Sequence, residues 1–308
     1  MTAAVSPRAV LEMVAATVPP ECHEQIIIIG SLAAGYHFFG QDETRQVRTK
    51  DIDCMLVPRV TAVRTGETVA ERLLAAGWSP RTDGIHCDPG TPSTPDDDLP
   101  AVRLHPPDQT EWYIELLTIH EPDDERDRSW ARLKLPSGHF GLPSFRFLDP
   151  VTHEPLSTDL GLCYARPEML ALSNLLRNPV IRPDTMDALV EGRAIKRSNK
   201  DLGRVLAIAR LSGDDQTAEW PQAWEEALVA LYESRWVDLA LGSGSGLRSL
   251  LGSGPDLDEA VITNNTGLLS SDPVSREQLR LTGERLIHDV VEPLRQAAKA
   301  GKRTHRRK

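Results

Sequence analysis

Residues 26–29 are four consecutive isoleucines closed by Gly30. A continuous β-branched run bounded by glycine predicts a strand buried on both faces. Residues 32–39 are apolar enough for a short helix ended by Gly40, and the polar residues 41–50 predict a loop. Residues 51–57 alternate acid and apolar side chains before turning apolar, which suits a strand. Residues 111–118 (EWYIELLT) predict another, and residues 101–104 a short one inside a stretch, 80–110, rich in Pro, Asp and Thr. Ser6-Pro7 reads as a helix N-cap with proline in the first turn, Pro19-Pro20 as its stop, and Gly77 as the end of a helix over 68–76. Beyond Pro150 the apolar spacing becomes helical, over 167–176, 188–211, 221–241 and 275–299. Glycine and serine at 242–246 and 252–254 predict a flexible interruption. The pattern predicts an α+β fold, a mixed sheet with flanking helices in 1–150, a helical domain in 151–212 and a helical extension in 213–308.

Composition narrows the class. With 40% hydrophobic and 26% charged residues, the 308-residue chain is neither disordered nor fibrous. Its longest apolar run is far shorter than the ~20 residues that span a bilayer, and residues 1–20 lack the features of a signal peptide. The expectation is a cytoplasmic protein with no membrane partner. Cys22, Cys54, Cys87 and Cys163 have no CxxC spacing, and His86-Cys87-Asp88 lacks the gaps of a zinc half-site. Formal net charge is −10, yet Lys299, Lys302, Arg303, Arg306, Arg307 and Lys308 make the extreme C-terminus basic. Such a tail is either a solvated extension or a contact for phosphate.

Three segments carry candidate chemistry: Ile29-Gly30-Ser31, Lys50-Asp51-Ile52-Asp53 and Ile114-Glu115-Leu116. Side chains two apart in a strand share a face, so Asp51 and Asp53 project side by side and repel unless a cation lies between them. Hard oxygen donors of this kind suit Mg²⁺ or Mn²⁺, which use one or two carboxylates together with substrate phosphates. Glu115 is the natural third carboxylate if its strand neighbours theirs, and a two-metal site then becomes available. Gly30-Ser31 joins a strand to a helix, where exposed N–H groups and the helix dipole receive phosphate.

In this order the segments resemble the polymerase-beta-like nucleotidyltransferase superfamily, whose pattern is Gly-Gly/Ser, Asp-x-Asp and a third acid on a later strand. Arg48-Thr49-Lys50-Asp51-Ile52-Asp53 is similar to the corresponding stretch of the AbiEii-type, toxin-like branch. Fainter likeness covers 165–211, through Arg166-Pro167-Glu168-Met169-Leu170 and Arg197-Ser198-Asn199-Lys200-Asp201-Leu202. The chain departs from the pattern in two places. Nineteen residues separate Ser31 from Asp51, so 40–48 reads as an insertion, and Ala171-Leu172-Ser173-Asn174 stands where the branch carries a lysine.

The resemblance implies transfer of an NMP from an NTP (ATP, GTP or CTP) to an acceptor hydroxyl. Asp51, Asp53 and Glu115 would be the catalytic and metal-holding acids, with Mg²⁺ or Mn²⁺ as cofactor. Gly30 and Ser31 would cradle the triphosphate, and Lys200 and Asp201 would handle the nucleotide. Arg48 and Lys50 either neutralise the acids or touch substrate. RNA, such as a tRNA end, is the acceptor the branch suggests, with an antitoxin as partner. A small-molecule adenylyltransferase and an inactive binding scaffold are the alternatives. No G-x-S-x-G, HExxH or GxxxxGK[ST] occurs, so those hydrolase and P-loop signatures are absent.

Overall fold

The computed structural model describes residues 3–40, 42, 45–82, 88–121 and 124–305. His86 and Cys87 of the set-aside HCD triplet, and Arg306, Arg307 and Lys308 of the basic tail, lie outside the described residues. The chain divides into two units, Met1–Arg166 and Pro167–Lys308.

The first unit opens with β1 (Ala3–Val5) and α1 (Pro7–Thr17). Ser6 caps that helix, its Oγ accepting the Ala9 N–H at 3.4 Å. The isoleucine run becomes β2 (Ile26–Ile28), followed by α2 (Gly30–Phe39), β3 (Val47–Thr49) and β4 (Asp51–Leu56). Next come α3 (Arg59–Ala75), β5 (Ser79–Pro80), β6 (Arg103–His105) and β7 (Tyr113–Thr118). A hairpin, β8 (Arg128–Leu135) and β9 (Gly138–Phe145), precedes β10 (Leu156–Ser157) and β11 (Cys163–Tyr164). Seven strands form one mixed sheet in the order β10-β11-β2-β4-β7-β6-β5. Within it β4 runs parallel to β7, and β2 antiparallel to β4. Strand β2 lies inside the sheet, and Ile26, Ile27 and Ile28 are at most 2% exposed, which is why the run is apolar without alternation.

The architecture is the expected α+β arrangement, with helices following the sheet. Several local expectations change. Part of the polar stretch 41–50 is strand β3, paired with β1 from Ala3↔Thr49 to Val5↔Val47. Val47 is fully buried, and its Cγ1 would stand 2.5 Å from any Cβ at Gly35 of α2. One buried valine among polar residues is too small a signal for periodicity. Helix α3 begins at Arg59 rather than 68. Its first turns carry weak helix formers, but Ala62, Thr65 and Gly66 are buried, and Gly66 meets Leu56, Leu142 and Leu133. Gly77, at φ +88°, ends α3 as expected: the Trp78 N–H bonds the Leu73 carbonyl at 3.0 Å and the Gly77 N–H that of Leu74 at 3.1 Å. The β8–β9 hairpin has no sequence expectation; Trp130 lies across Gly141, its ring 2.6 Å from where a Cβ would be.

The second unit is helical: α4 (Pro167–Arg177), α5 (Arg197–Thr217), α6 (Trp220–Tyr232), α7 (Trp236–Gly242), α8 (Ser245–Gly252), α9 (Gly254–Thr266), α10 (Arg276–Leu286) and α11 (Glu292–His305). The sequence expectation puts boundaries at 150 and 212. Strands β10 and β11 instead carry the sheet-bearing unit to Arg166, and α5 runs through 212 with a break at Gly213 (φ 70°, ψ 179°). The glycine-rich stretch expected to be flexible folds into α8 and α9, with Gly244 at φ +76° starting α8. The helix expected over 275–299 is α10 and α11 joined by a π turn at Ile287–Val291, and it continues to His305, carrying Lys302 and Arg303. Among the described residues, no helix is long and apolar enough to cross a membrane.

Candidate active site

The parallel register of β4 and β7 pairs Asp51 with Tyr113 and Asp53 with Glu115. Directly paired residues of adjacent strands share a face, so Asp51, Asp53 and Glu115 stand on one side of the sheet. Ile52 and Ile114 are turned to the other side, at 0% and 1% exposure, and lock the strands by burial. Asp51 and Asp53 are half-buried, whereas Glu115 is 7% exposed. Thr49, at the end of β3, holds Asp51 from below in sequence: its Oγ1 donates to the Asp51 carbonyl at 3.0 Å and lies 3.3 Å from Oδ1.

Gly30, the first residue of α2, joins this group just past β2. Its φ of +73° is the left-handed region that L side chains avoid, and the tight strand-to-helix turn requires it. A Cβ there would also stand 2.9 Å from Asp53 Oδ2. The turn and the acid are therefore built against each other. The Ile29 N–H bonds the Asp53 carbonyl at 3.0 Å, extending the β2–β4 ladder to the turn. Ser31 follows in the first turn of α2, half-buried, and the N-cap Ile29 offers no side-chain cap to the helix N–H groups.

Strand β6 adds what the sequence reading missed. It pairs antiparallel with β7, Arg103 opposite Glu115, and Arg103 Nη2 donates to Glu115 Oε1 at 3.0 Å. Burial works against the Arg103 charge, but the Glu115 carboxylate, then Tyr113 and Asp51, raise its affinity for the proton above the ordinary value. Tyr113 is pushed well up, first by burial and then by Asp51 and Glu115. Arg81 and Arg103 lie over the Tyr113 ring, Cζ to centroid 4.6 and 5.9 Å. The only sequence trace of Arg103 is the R-L-H alternation, legible once β6 is known to border β7. Cys54, fully buried on the opposite face, is raised by burial and then by Asp53, so it is a packing thiol.

The donors suit a divalent cation in part. Asp51 and Asp53 present two hard oxygen donors on one half-open face, which fits a single Mg²⁺ or Mn²⁺ shared with substrate phosphates. Glu115 does not complete a set: one of its oxygens is spent on Arg103. Among the described residues, no group of three or more His, Cys, Asp or Glu side chains could hold a metal ion.

Of the sequence candidates, Gly30, Asp51, Asp53 and Glu115 are brought together, with Ser31 in the adjoining turn. Arg48 is exposed on β3, and the Lys50 carbonyl accepts the Tyr113 N–H at 3.0 Å. Lys200 and Asp201 belong to the second unit, in the first turns of α5. Asp201 Oδ2 lies 3.5 Å from Asn178 Nδ2, a link between the segment after α4 and α5. Beside them a denser network forms: Lys196 Nζ to Asp256 Oδ1 at 2.6 Å, and Asn199 Nδ2 to Asp256 Oδ1 at 2.8 Å and to Glu259 Oε2 at 2.9 Å. No family model matches this chain, and no curated protein matches it in sequence.

Proposed function

We propose that the first unit is a nucleotidyltransferase domain, moving an NMP from an NTP to an acceptor hydroxyl with release of pyrophosphate. The observation that carries this reading is Gly30: a positive-φ strand-to-helix turn whose missing Cβ leaves room for Asp53 Oδ2. A phosphate-receiving helix start and an acid pair are thereby adjacent, which is what phosphoryl chemistry by positioning and charge neutralisation needs. Asp51 and Asp53 would hold a Mg²⁺ or Mn²⁺ ion, whose contribution is to neutralise the triphosphate. Gly30 and Ser31 present backbone N–H groups and a hydroxyl to the phosphate oxygens. Glu115, with Oε1 held by Arg103, orients the acceptor hydroxyl and takes its proton as the acceptor oxygen bonds to the α-phosphorus and the bond to pyrophosphate breaks. On the same reading the acceptor is RNA in a toxin-like, cytoplasmic system with an antitoxin partner.

The test is incubation of the full chain with each α-labelled NTP, Mg²⁺ and bulk RNA, beside the Asp51→Asn/Asp53→Asn variant. Label on RNA with the wild type alone supports the reading and names the base. Label on an added aminoglycoside-like small molecule keeps the chemistry and replaces the acceptor. Equal turnover by wild type and variant, or none by either with any acceptor, overturns it.

A further inference from the structure

Three carboxylates share one face of β4 and β7, yet they are not equivalent. Asp51 and Asp53 are half-buried on one strand, while Glu115 is buried and tied to Arg103 across the β6–β7 ladder. The register opposes Arg103 to Glu115, so this ion pair is set by strand pairing rather than by the reach of a surface side chain. A buried carboxylate without a counter-charge is strongly destabilising, and Arg103 supplies that charge. We infer that Arg103 is the built-in second cation of this site: its guanidinium holds Glu115 where a second metal ion would otherwise sit, and one divalent cation at Asp51 and Asp53 suffices. This inference rests on the nucleotidyltransferase reading of the same face.

A further observation favours it. Arg103 Nε is buried without a hydrogen-bond partner, a cost a purely structural ion pair would be expected to avoid. Arg103 is thus a positioning residue: it fixes which Glu115 oxygen is occupied and which remains for the acceptor hydroxyl.

Binding of Mn²⁺ alone to the full chain, counted by titration calorimetry and by electron paramagnetic resonance of free ion, tests this without any turnover. The wild type is expected to bind one ion per chain, and Glu115→Gln to bind one with Kd changed less than about twofold. Arg103→Met frees Glu115 and is expected to add a second, weaker ion, which Arg103→Met/Glu115→Gln loses again. Arg103→Lys keeps the charge and stays at one, which guards against an Arg103→Met chain that does not fold; circular dichroism checks each variant. A wild type that binds two ions, one of them lost in Glu115→Gln, overturns the inference and leaves the proposed function standing. Retention of one ion by a folded Arg103→Met also overturns it. Binding unaffected by Asp51→Asn/Asp53→Asn overturns the proposed function itself, and the inference with it.

Discussion

Strand β7 carries one polar cluster at its middle and leads into another just beyond its end, and the two are built on opposite principles. Beyond the end, His120, Ser129 and Ser144 are 4%, 6% and 2% exposed. His120 Nδ1 lies 3.0 Å from Ser144 Oγ and 3.2 Å from Ser129 Oγ, the hydroxyls are 2.8 Å apart, and Nε2 is 3.1 Å from the Asp124 carbonyl. Because a carbonyl only accepts, Nε2 carries the proton and Nδ1 accepts from serine, so the cluster closes on itself. At the middle, Asp51, Asp53 and Glu115 set like charges on one face beside a left-handed glycine, with the Arg103 guanidinium on Glu115 and that of Arg81 over Tyr113. Polar groups that satisfy one another hold a hairpin in place. Carboxylates gathered on one face of a sheet cost stability, which is the signature of a site for something brought in from outside.

If that contrast is right, substitutions at the two clusters should separate activity from stability. The largest effect is expected at the open cluster: Asp51→Asn/Asp53→Asn should lower NTP turnover about 10³-fold or more, roughly 4 kcal/mol of transition-state stabilisation. Its Tm should hold; a Tm that falls with activity would make the acids structural. The closed cluster should do the reverse. His120→Ala or Ser144→Ala leaves buried groups unpaired and should cost about 1–3 kcal/mol in urea unfolding, with turnover per folded molecule unchanged.

Gly30→Ala falls between the two. The left-handed backbone alone should cost about 1–2 kcal/mol, and the new Cβ displaces Asp53 Oδ2, so stability and turnover drop together. Separate behaviour of the two readouts would dissociate the turn from the acid.

The smallest effect extends the comparison to the Lys196–Asn199–Asp256 network, another cluster satisfied from within. Burial works against the Asp256 charge, but hydrogen bonds from Lys196, Ser253 and Asn199 outweigh it and hold its carboxyl below the usual range. A depressed folded value means the stabilisation is present above the unfolded value, about pH 4, and is lost as pH falls through the folded one. Acid unfolding should therefore be less steep below about pH 4 in Asp256→Asn than in the wild type.

What could be read in advance was local. The isoleucines at 26–29, Gly77 beyond α3, the Ser6-Pro7 start and the acid-x-acid strand each act within a few residues, where backbone preference and side-chain alternation decide. Val47 in a polar stretch and the first turns of α3 were illegible, since both owe their structure to neighbours distant in sequence. The glycine- and serine-rich 242–254 misled for the same reason: composition favoured flexibility, while packing turned the stretch into α8 and α9.

The candidate site divides along that line. That Gly30 can make a tight turn into a helix and that Asp51 and Asp53 must share a face follow from the chain itself, because glycine enters the left-handed region without strain and strand side chains repeat every second residue. That Glu115 stands beside Asp53, and that Arg103 rather than a third open coordination position faces it, was decided only by the parallel pairing of β4 with β7 and the antiparallel pairing of β6. Strand register is a long-range choice, made by burying Ile52, Ile114 and Leu104 together, and no spacing along the sequence encodes it.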